Sequence, residues 1–154
     1  MAFREKMLWG SLAATVAIWG WYFLGFLAAL TGPRFDTSTE VGSFIFAVVA
    51  LTVVQVVVAI VLAISSPAEA RAPADDRDRE FALRAYRPAF ITLSVLVAML
   101  TVVAPLTMAT APAWLGGKPS SVVPIVISNA LLLSLVLAEL VRSGTLVLLY
   151  RRGS

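Results

Sequence analysis

Apolar residues fall along this chain in four long blocks, at 7–30, 42–64, 86–109 and 122–141, the last continuing apolar to Tyr150. A hydrocarbon core of roughly 30 Å needs about 20 apolar residues in a helix, and each block supplies that many. The pattern predicts an all-α integral membrane four-helix bundle, a single domain made of two transmembrane hairpins. The first block follows Arg4 and Lys6, as the core of a signal peptide does. It is too long for that role, and no small-x-small cleavage site follows it. It reads as a permanent anchor.

The segments between the blocks differ in charge. The first connection, 31–41, has Arg34 beside Asp36 and Glu40, and 111–121 has only Lys118. The N-terminus has Arg4 and Lys6, the middle connection has Arg71, Arg77, Arg79, Arg84 and Arg87, and the tail has Arg151 and Arg152. Positive charge retained on the cytoplasmic side then places both termini and the middle connection inside, in a bacterial inner membrane. Trp114 and Phe35 fall at the outer face, Trp9 and Tyr150 toward the inner one.

The hairpins are joined by 65–74 (SSPAEARAPA), whose proline, alanine and serine predict an extended, mobile cytoplasmic linker. The following stretch, 75–87 (DDRDREFALRAYR), starts acidic and ends in arginines, the order that a helix dipole favours. Asp75 can cap its first turn, and Asp75–Arg79 and Glu80–Arg84 are opposite charges at i,i+4. A cytoplasmic charged helix continuous with the third span follows, kinked near Pro88. Asp75, Asp76, Arg77, Asp78, Arg79 and Glu80 form a candidate partner-docking box. The plainer alternative is a solvated, self-paired helix start.

The fourth block is overlong. From Val122 to Tyr150 a helix runs about 42 Å, against roughly 30 Å of hydrocarbon. Its last two turns are expected in the cytoplasm, antiparallel to the start of the third helix. There Phe81, Leu83 or Tyr86 would cover Leu146, Leu148 or Leu149. Near the inner interface lies Glu139; within the bilayer a charge costs about 2.5–3.5 kcal/mol unless it is paired, hydrated or moved to the interface. Arg142, Arg87 and Arg84 are its candidate partners in an inner-corner charge network.

The box DDRDRE, followed by a span and the ending AELVRSGTLVLLYRRG, resembles a group of small bacterial four-span membrane proteins of unknown function. That group has a DERD-type box before the third span and a YRRG-like C-terminus. The resemblance covers about 75–153, with aspartate where the group more often has glutamate. It implies no reaction. Members are often encoded beside small helix-turn-helix regulators, which implies a regulatory or accessory role.

Gln55 and Asn129 fall near the middles of the second and fourth blocks, where lipid offers an amide no partner. Both are expected to face the bundle, as interhelical glue or as a polar ligand site. Trp19, Trp21 and Tyr22 lie deeper than an aromatic belt. Their rings either pack against neighbours or line a cavity for a hydrophobic cation or a quinone-like ring. Gly25 and Ala29 form a small-xxx-small face permitting close helix approach.

Composition narrows the chemistry. The 154 residues are 60% hydrophobic and 14% charged, with mean hydropathy +0.91, the balance of a chain that sits in lipid. Cysteine and histidine are both absent, removing thiolate and imidazole catalysis and the usual metal ligands. No catalytic residues and no cofactor are expected. The basic balance belongs to span ends, so nucleic acid is not an expected partner. The favoured reading is a non-catalytic membrane protein that binds a protein partner through its cytoplasmic corner. The alternatives are a small oligomeric proton-coupled transporter using Glu139, and a structural accessory subunit of a larger membrane complex.

Overall fold

Each apolar block folds as one long helix. The computed structural model describes residues 3–67 and 76–152. Its helices are α1 (Phe3–Thr31), α2 (Thr37–Ser65), α3 (Asp76–Ala109), the short α4 (Ala111–Trp114) and α5 (Val122–Arg152). Among the described residues there is no strand, and four helices are long and apolar enough to cross a membrane. The linker residues 68–74, Asp75 and its expected cap and pairing lie outside the described residues.

Local sequence explains the boundaries. Asp36 caps α2: its carboxylate accepts from the Ser38 amide at 3.1 Å, the Ser38 hydroxyl at 2.8 Å and the Thr39 hydroxyl at 2.6 Å. The Thr39 and Ser38 bonds hold this carboxyl below the usual carboxylate range. The charged stretch and the third apolar block form one helix, with Pro88 and Pro105 inside it. Each proline removes one backbone donor from the ladder. Where α3 ends, the Trp114 indole donates to the Thr107 carbonyl at 3.3 Å, satisfying one of the acceptors left open there. Gly116 and Gly117, at φ 58° and 87°, supply the left-handed turn back toward α5. Pro124 is the third residue of α5, where the missing N–H costs no helical bond.

Close helix packing runs in the order α2, α1, α5, α3. The central pair is therefore α1 and α5, with α2 and α3 flanking it. Trp19 and Tyr22 of α1, Ala47 of α2 and Val136 of α5 form the middle cluster. α1 comes close to α2 at Gly10, where a Cβ would lie 2.9 Å from Val58 Cγ1. Gly25 instead faces open space, so the expected small-residue contact is made one helix end away from where it was placed. Along α2 and α3 the large apolar residues Val53, Ile60, Ile91, Val102 and Leu106 are exposed. In water such a surface would drive association, whereas acyl chains would cover it without penalty.

Candidate functional site

Two ends of the bundle carry polar chemistry. At the charged end, the start of α3 lies antiparallel to the end of α5. Phe81, Ala85 and Leu146 are buried together, with Leu8, Leu149 and Tyr150 packed around them. The Phe81 and Tyr150 rings meet edge to face at 5.4 Å. The Tyr150 hydroxyl donates to Asp78 Oδ1 at 2.5 Å, tying α5 to the acidic box of α3. Arg77 stands over the Phe81 ring at 5.1 Å, and Arg151 over Trp9 of α1 at 5.1 Å. Of the three residues expected to cover α5, Phe81 does so; Leu83 and Tyr86 are exposed, as is Leu148.

Glu139 and Arg142 form a bidentate pair within α5, at 2.8 Å from Nε and 2.5 Å from the terminal nitrogen. The Ser143 hydroxyl adds a bond to Glu139 at 3.2 Å, and the guanidinium lies 5.7 Å from the Tyr86 ring centre. The wider network is not assembled. Arg84 pairs instead with Glu80 at 2.7 Å, one helical turn away, and Arg87 is exposed and meets neither acid. The helix period explains this: three and four residues are one turn, so local partners outcompete those on another helix. A double-mutant cycle on Glu139→Gln and Arg142→Gln should give a coupling of about 0.5 to 1 kcal/mol, small because both side chains are partly exposed. The same cycle with Arg87→Gln should give none; a larger coupling to Arg87, read from unfolding in mixed micelles, would contradict this geometry.

At the opposite end Asn129 is buried, accepting from the Tyr22 hydroxyl at 2.7 Å and donating to the Ile125 carbonyl at 3.0 Å. Gln55 departs from expectation. It is exposed, in a groove between α1 and α2 with Met7, Ser11 and Thr52, and does not meet Asn129. The reason is that α2 packs closely only along α1, leaving most of its circumference outside. The three deep aromatics also divide: Trp19 and Tyr22 turn inward, whereas Trp21 is exposed against Phe46.

The residue missed from sequence is Glu40. It lies in the first turn of α2, only 8% exposed, and borders a cavity of about 330 Å³ with Tyr22, Phe44, Ser128 and Asn129. Among the described residues no side chain bonds to its carboxylate. No cluster of potential metal ligands occurs among the described residues either. No family model, curated protein or solved structure matches the chain.

Proposed function

We propose that this is a non-catalytic integral membrane protein of the bacterial inner membrane, regulatory or accessory in role, that binds a protein partner through its charged corner. In this reading both termini and the α2–α3 connection are cytoplasmic, because ten of the twelve cations fall on that side. The ends of α3 and α5 project from the bilayer as an antiparallel pair: α3 is about 50 Å long and α5 about 45 Å, against roughly 30 Å of hydrocarbon.

The observation that carries the reading is the lock between those ends. With Tyr150 bonded to Asp78 and Phe81 buried against Leu146, the corner is a rigid platform, and Arg79, Leu83, Arg84 and Arg87 are exposed on it. Beside them a cavity of about 410 Å³, bordered by Met7, Ser11, Arg79 and Tyr150, offers a seat for a partner's side chain. Cations outnumber acids at this end, so the fitting partner segment is acidic. Transport through Glu139 is less well supported, since both oxygens of its carboxylate are engaged by the Arg142 guanidinium.

A photo-reactive residue placed at Leu83 in native membranes tests the proposal. One discrete protein adduct is expected, lost on joint charge reversal by Arg79→Glu and Arg87→Glu and retained with Glu139→Gln. Adducts to lipid alone, or a protein adduct indifferent to the charge reversal, would reject it.

A further inference from the structure

We infer that the cavity beside Glu40 is a binding site for an organic ammonium cation carrying an aromatic or similarly bulky apolar group. The inference rests on this end of the bundle alone and is independent of the docking corner. Glu40 is more than nine-tenths buried, yet among the described residues no cation pairs with it and no donor bonds it. Arg34 and Lys118, the cations of the nearby connections, both leave it unpaired. Asp36 stands one turn before it and adds a second negative charge, which the partial positive charge of the α2 N-terminus offsets only in part. The Glu40 carboxylate oxygens keep their remaining access through the cavity they border, and a ligand that brings the opposite charge there gives them a partner.

The lining sets the ligand's class. Besides one carboxylate and the polar Ser128 and Asn129, the cavity presents the Tyr22 and Phe44 rings, whose centres are 6.1 Å apart, together with Pro124, Ile125 and Leu132. A calcium or magnesium ion takes six or more oxygen ligands, and this wall, with one carboxylate, is poor in them. An alkylammonium group does not need them. Its charge is met by Glu40 and by the ring faces, and its hydrocarbon by the aliphatic wall. The volume of about 330 Å³ suits a molecule the size of a benzylammonium. The Tyr22–Asn129 hydrogen bond keeps the phenol occupied and fixes the ring edge that borders the site.

The test is calorimetric titration of the full chain in nanodiscs with benzyltrimethylammonium and with its uncharged carbon isostere, neopentylbenzene, against empty nanodiscs. The cation should bind saturably and at least tenfold more tightly than the isostere. Glu40→Gln should weaken the cation at least tenfold and leave the isostere unchanged, while Phe44→Leu weakens the cation severalfold. Glu139→Gln, at the opposite end, should alter neither. Equal affinity for cation and isostere in the wild-type protein would overturn the inference even if the Glu40 variant failed to fold. So would cation binding indifferent to Glu40→Gln, or no binding above that of empty nanodiscs.

Discussion

Replacing Phe81 with alanine is expected to destabilise the protein by about 3 kcal/mol, the low end for removing a buried aromatic ring. Phe81 is buried between α3 and α5, against Leu146 and edge-on to Tyr150. Its loss leaves a void that neither helix can close without breaking the Asp78–Tyr150 bond or shifting Ala85, which is fully buried. The low end applies because the contact lies near the ends of two helices, where the chain can fray and relax. Damage should be local. Amides of the last two turns of α5 should lose most of their hydrogen-exchange protection, while those around Trp19 and Val136 keep theirs. Leu83→Ala, two positions on but exposed, should cost under about 0.5 kcal/mol. If the two variants unfold alike in mixed micelles, the packed corner does not lock the ends of α3 and α5 together.

How far the sequence could be read depended on whether one helix or several decide a feature. Helix number and length were legible, because about 20 consecutive apolar residues admit few alternatives. The meeting of α3 with α5 was legible as well: two helices overlong at the same end, one acidic at its start and one basic at its finish, have an obvious mutual partner. Facing was not. An α2 that is apolar all round gives no amphipathic stripe to orient Gln55, whose exposure follows from where α1 packs. Nor does spacing say which glycine is approached. Gly10 meets Val58 closely and Gly25 meets nothing, although both have an alanine four residues on. Glu40 was hidden for a related reason. Counted by hydropathy, the second block begins at 42, so Glu40 reads as a loop charge; the helix in fact begins at Thr37. The available signal was Asp36 followed by serine and threonine, a capping sequence that moves the helix start back and carries Glu40 into its first turn.

Removing the acceptor of the Tyr22–Asn129 bond should cost more than removing both partners. Asn129→Leu leaves the Tyr22 hydroxyl buried without its acceptor, and the expected loss is about 2 kcal/mol. Tyr22→Phe is milder, about 1 kcal/mol, because the Asn129 amide keeps its bond to the Ile125 carbonyl. In the double variant no buried donor is stranded, so its loss should fall below that of Asn129→Leu alone. The coupling is then about 1 to 1.5 kcal/mol, toward the upper limit for hydrogen bonds between membrane helices. A value that high is reasonable here because Tyr22 is only 4% exposed and its ring is fixed by Trp19, Phe26 and Phe44. The phenol cannot swing to another partner without disturbing all three. Unfolding of the four proteins under one set of bicelle conditions decides the matter. Strictly additive losses would mean that the hydroxyl finds water in the adjoining cavity. The bond would then set the register of α1 against α5 without adding to stability.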